Sequence, residues 1–114
     1  MRHFPKRAAK QISEHTTSVF TDYSTDAKNL SLGVSEIHGR YPEAGYDVDT
    51  AIEQIWYVES GDGVVGTETE TYTITPGDLV IISPNEKYWI QGTNLKLVVA
   101  SSPSWFEDQH KHTS

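Results

Sequence analysis

His38 is suited by type to move protons near neutral pH, because an imidazole titrates at about 6.5. It closes the stretch from Asn29 to Arg40, NLSLGVSEIHGR, in which Leu30, Leu32, Val34, Glu36 and His38 alternate with Ser31, Gly33, Ser35 and Ile37. Such alternation predicts a strand, and its leucine-bearing face ends in Glu36 and His38. If that face lines a barrel, both polar groups point inward near the mouth; the other reading is a strand that rolls out to solvent at its end. A second stretch, TAIEQIWYVESGDG from Thr50 to Gly63, puts Gln54, Trp56 and Val58 on one face and Ile55, Tyr57 and Glu59 on the other. An amide beside Trp and Val suggests a cavity wall rather than a dry core. Asp47 and Asp49 stand two apart, on one side of the chain if it is extended. An Asp pair close to Pro42 and Gly45 also suits a turn.

The elements that must hold these groups are β-strands. Trp56, Tyr57 and Val58 run into Gly61-Asp62-Gly63, which predicts a hairpin turn over Ser60–Gly63. From Pro76 to Ile90, PGDLVIISPNEKYWI repeats the form: a turn, a β-rich run, a second turn, then Tyr88 and Trp89. Leu79–Ile82 reads as a strand buried on both faces. Further strands are expected around Ser18–Phe20 and Leu95–Ala100. A hairpin is expected from Val64–Gly66 and Thr71–Thr75 around Glu68–Glu70, with turns at Ser24–Lys28 and Gly92–Asn94. Tyr41–Asp49 reads as a loop. Residues 1–15 read as an N-terminal arm and 101–114 as a polar tail in which Trp105 and Phe106 dock on the body while His110 and His112 are solvated. About eight short strands, with almost no helix, indicate a sandwich or barrel in a single domain, 1–114.

Charge narrows the partners. The 114 residues carry a net charge of −7. From Tyr41 to Glu86 there are carboxylates at 43, 47, 49, 53, 59, 62, 68, 70, 78 and 86, and no Lys, Arg or His. Such a field repels phosphate backbones, so nucleic acid is not an expected partner. It favours a cation or a ligand that brings one; a solvated acidic exterior is the plainer account. There are no cysteines, which excludes disulfides, thiolate metal sites and a Cys nucleophile, and makes the cytoplasm the expected location. No apolar run is long enough to span a membrane, and the basic lead MRHFPKRAAK has no apolar segment behind it. A nucleophile-elbow serine, a phosphate loop and HExxH are all missing.

The two anchor stretches resemble the two motifs of the cupin superfamily, specifically its small single-domain bacterial members. The resemblance runs over roughly residues 30–100 and implies an all-β double-stranded β-helix, or jelly-roll barrel. It places Gln54 at the family's glutamate position and Asp47 and Asp49 at its two histidines. Gly77-Asp78 and Leu79–Ile82 fit the second motif, with Ser83, Asn85 and Tyr88 in place of its Pro, Gly and His. All four usual metal-ligand positions are therefore changed. Asp47, Asp49 and Gln54 form an oxygen set suited at most to a weakly held divalent metal such as Mg²⁺, Mn²⁺ or Ca²⁺, so the cofactor expectation is that or none. Some cupin-like sugar epimerases use a His base and a Tyr acid, and here His38 and Tyr88 would be that catalytic pair. The expected function is binding of a small polar ligand, sugar-like or an amine, by Gln54, Trp56 and Glu36. The alternatives are metal-independent acid–base isomerisation and a divalent-metal enzyme. Small cupins are usually dimers, and the apolar face bearing Ile55 and Tyr57 needs cover, so a homodimer is expected.

Overall fold

The computed structural model describes residues 1–23 and 25–114, apart from the side chains of Glu14 and His15. Among them run nine strands: β1 (Lys10–His15), β2 (Ser18–Asp22), β3 (Ser31–Tyr41), β4 (Tyr46–Asp49), β5 (Glu53–Gly66), β6 (Thr71–Ile74), β7 (Leu79–Ile82), β8 (Lys87–Ser102) and β9 (His110–Thr113). Single 3-10 turns cover Lys6–Ala8 and Glu107–Gln109. No helix among the described residues is long and apolar enough to cross a membrane.

All pairings are antiparallel, and the two long strands organise them. β8 pairs with β3 on one edge and β5 on the other, and its first residues also pair with β4. β5 then carries β6 and β7, β3 carries β2 and β1, and β4 carries β9. The sheet curls on itself into the expected jelly-roll barrel, and the inward residues of β5 and β8 form the core. Along β5 the alternation is strict: Gln54, Trp56 and Val58 are buried, while Ile55, Tyr57 and Glu59 are exposed.

Several boundaries differ from expectation. Ser60–Gly63 is no hairpin turn; β5 continues through it, with bulges between Val58 and Ser60 and between Ser60 and Asp62. Gly61 takes φ +82 there, and any Cβ would meet the backbone of Asn94, so glycine lets the strand bend around the barrel. β8 likewise runs through Gly92–Asn94 without a turn. β7 pairs only with β5 and buries one face, since Leu79 and Ile81 are exposed; a short edge strand has no second layer to cover it. The N-terminal arm contains β1, which pairs with the neighbouring β2; the Tyr41–Asp49 loop contains β4 and the tail contains β9, which recruit each other across about 60 residues of sequence. The expected hairpin of β5 and β6 is present. The expected Ser24–Lys28 turn begins at Ser24, which lies outside the described residues.

Candidate functional site

Register decides which side chains face the interior. Gly33 pairs with Val99, Ser35 with Leu97 and Ile37 with Leu95, and directly opposed residues share a face. β3 therefore turns Gly33, Ser35 and Ile37 inward and Val34, Glu36 and His38 outward. The expectation for Glu36 and His38 is corrected here: His38 is exposed, Glu36 is half-buried opposite Lys96, and neither lines the cavity. Apolar residues occur on both faces of β3, and a one-residue change of phase exchanges the faces. Gly33 has a packing role: the Phe20 ring of β2 lies where its Cβ would be.

Inside the barrel is a cavity of about 470 Å³. Phe20, Trp56, Ile90, Leu97 and Val99 give it apolar walls. Asp47, Gln54, Tyr88, His110 and His112 form a polar end, and Trp105 lies beside His110 with ring centroids 5.9 Å apart. The structure thus brings together the four residues at the altered cupin positions, Asp47, Asp49, Gln54 and Tyr88, and places Trp56 edge-on to Tyr88 at 5.1 Å.

These groups form one hydrogen-bonded chain centred on Asp49, whose exposure is 0%. Trp56 Nε1 donates to Gln54 Oε1 at 2.7 Å, and Gln54 Nε2 donates to Asp49 Oδ2 at 2.8 Å. The Tyr88 hydroxyl donates to the same oxygen at 3.1 Å. Oδ1 of Asp49 accepts from Gln109 Nε2 and lies 2.8 Å from His110 Nδ1. His110 Nε2 is 3.1 Å from Oδ2 of Asp47, and His112 Nδ1 is 2.9 Å from its Oδ1. Tyr41 also bonds Asp47. The β4–β9 pairing builds this arrangement by setting His112 opposite Asp47 and His110 opposite Asp49. Gln109 locks it further, since its backbone carbonyl accepts from the Thr50 hydroxyl at 2.8 Å. Arg40 braces the approach to β4 through the carbonyls of Pro42 and Gly45 while stacking on Trp89.

Protonation follows from this geometry. Both His110 nitrogens face carboxylates, so both must carry protons. Burial alone would lower the His110 pKa, but its bonds to Asp47 and Asp49 outweigh burial and push it up to about 9. Asp47 is held below the usual carboxylate value: burial opposes its charge, and the bonds from His110, His112 and Tyr41 prevail. Tyr88 is pushed well above the ordinary phenol range by burial and by the charge of Asp49, so it stays neutral.

The donor set does not fit a divalent metal. Both oxygens of Asp49 are already engaged by two donors each. The Gln54 carbonyl is turned to Trp56, leaving its NH₂ toward Asp49. The positive charge between the two carboxylates is the His110 imidazolium. No group of three or more His, Cys, Asp or Glu placed to hold a metal occurs among the described residues. Asp47, Asp49 and Gln54 meet as a hydrogen-bond network, not as an open ligand set.

The residues missed in the sequence are His110, His112, Gln109 and Tyr41. The one available signal was the alternation of His110 and His112, which matches that of Asp47 and Asp49 at strand spacing.

A family model described as the AraC-like ligand binding domain matches residues 31–91, just over half of the chain. No curated protein matches. Among solved structures, Pac13 from Streptomyces, described as a nucleoside dehydratase, is 17% identical, with a TM-score of 0.88 over 99% of this chain and 91% of its own. KdgF from Halomonas is 16% identical over 94% and 97% of the two chains, with a TM-score of 0.74. An RmlC-like cupin from Shewanella frigidimarina is 18% identical over 95% and 96%, also at 0.74. At such identities the likeness establishes the barrel; the family match over the motif-bearing strands establishes membership, and the chain belongs to the AraC-like ligand-binding domain family, built on the cupin fold.

Proposed function

We propose that the protein binds a small polar molecule in the barrel cavity and performs metal-independent acid–base chemistry on it, of the isomerase or lyase kind. The observation that carries this reading is the Asp47–His112 pair at the cavity wall. Asp47 is buried and ionised, so the bond at 2.9 Å fixes the proton of His112 on Nδ1. In the neutral imidazole Nε2 is then the acceptor, the arrangement of an oriented general base. His112 takes the place that the sequence alone suggested for His38. Tyr88, Gln54 and Trp56 supply a neutral phenol, an amide and an aromatic face around the bound molecule. Pac13, of the same fold, is a nucleoside dehydratase, and a His→Gln and two Tyr→Phe variants of it are solved with uridine, which supports a ring-bearing ligand of comparable size.

Proton abstraction can be read without knowing the final product. In D₂O, NMR would follow loss of C–H signals next to the carbonyl of aldo-sugars, keto-sugars and oxidised nucleosides. Exchange by the wild type and none by His112→Gln supports the reading. A second reading, binding without catalysis, is favoured by the internal satisfaction of Asp49, which leaves a rigid pocket. Ligand-induced stabilisation without exchange would select it, and neither signal across the panel would reject both.

The outer face of β5 and β7 exposes Ile55, Tyr57, Leu79 and Ile81, with Ile55 opposite Ile81 and Tyr57 opposite Leu79. We propose that a second copy covers it, as a homodimer. Light scattering at micromolar concentration that gives the monomer mass would reject this.

A further inference from the structure

Three carboxylates, Asp22, Asp47 and Glu107, line the cavity, and Asp49 lies directly behind Gln54. No lysine or arginine lines it among the described residues. The His110 imidazolium there is already flanked by Asp47 and Asp49, so it offers little to an incoming anion. The wall made by β3 and β8 is different. Along β8, Leu97, Val99 and Ser101 point inward by alternation, and Ser101 is 5% exposed. Its hydroxyl lines this wall, and Ser35 stands two pairs away on the same face. A hydroxyl on a cavity wall is a position for a ligand's polar group. At the mouth, Trp105 and Glu107 are exposed side chains that still line the cavity.

We infer that the ligand is a hydroxylated ring compound that carries an amino group and no phosphate. This rests on the barrel cavity being the ligand site, as proposed above. The ring packs between Phe20 and Trp56, a hydroxyl bonds Ser101, and the ammonium group lies at the mouth toward Glu107 and the face of Trp105. A phosphate would meet Asp22, Asp47 and Glu107 with no lysine or arginine among the described lining residues to pair with.

Calorimetry near pH 7 with two matched sets tests this: uridine, 5′-amino-5′-deoxyuridine and uridine 5′-monophosphate; and glucose, glucosamine and glucose 6-phosphate. In at least one set the amine should bind about tenfold tighter than its neutral parent, and the phosphate about tenfold weaker. Glu107→Gln, at an exposed site, should remove most of the amine's advantage over the neutral compound. Ser101→Ala should weaken all members of that set. Equal binding of amine and parent, tighter binding of the phosphate, or no binding by any of the six overturns the inference. The proton-exchange assay uses its own substrates, so it judges the acid–base reading separately from each of these outcomes.

Discussion

His110 Nδ1 lies 2.8 Å from Oδ1 of Asp49, across 61 residues of sequence. The same ring reaches Asp47 with its other nitrogen, so the β9 histidine takes the position of a cation between two buried carboxylates. The fold around it is a cupin barrel in which the residues at the metal-ligand positions hold one another. The polar end of the cavity is thus assembled by the C-terminal strand as much as by the two motifs.

Stability should depend on alkaline pH through this pair. The folded His110 pKa is about 9 against an ordinary 6.5. A raised folded pKa stabilises fully below the unfolded value, and that contribution is lost as pH rises through the folded one. The melting temperature should therefore fall between pH 7 and about 9.5. His110→Gln should melt lower at pH 7 and show a flatter profile over that window. A wild-type profile as flat as the variant's would rule out the charged bridge.

Asp49→Asn keeps the shape and removes the charge. One end of the new amide would present a donor to two existing donors, and His110 would lose a counter-charge. The expected loss is about 3 kcal/mol or more in urea unfolding at pH 7. A change below about 1 kcal/mol would mean that the network relaxes freely.

Tyr88→Phe removes one donor from Asp49 and leaves three. The cost should be about 1 kcal/mol, with the fold retained. Proton exchange should fall far more than stability does. A loss of several kcal/mol with exchange intact would instead make Tyr88 a structural residue.

Gly33→Ala puts a methyl group into the Phe20 ring. The ring must turn away from β3, at a cost of about 1–3 kcal/mol. Adding Phe20→Leu should recover most of the lost melting temperature. If the double variant melts no higher than Gly33→Ala alone, the contact is not what restricts this position.

The turn chemistry and periodicity of the chain carried the barrel: strict alternation around Trp56 and the Gly77-Asp78 turn are local features, and local features are written in local sequence. They also brought Asp47, Asp49, Gln54, Trp56 and Tyr88 to one region through the spacing of two motifs. The inward face of β3 was not legible, because Leu32, Val34 and Ile37 supply apolar residues in both phases and only pairing with Leu95, Leu97 and Val99 chooses between them. Likewise, no local rule distinguishes Ser60–Gly63 as a bulge from a hairpin turn; continued pairing with β8 decides it. His110 and His112 read as a solvated tail because a short polar segment has no fold of its own. They become part of the site only when β4 offers a strand edge and two buried carboxylates, an energy that exists solely between segments about 60 residues apart. Residue types and strand periodicity were thus determined by the sequence itself. Strand phase, the recruitment of the tail and the charge at the centre of the site were decided by tertiary pairing, since each depends on a partner that the local chain does not contain.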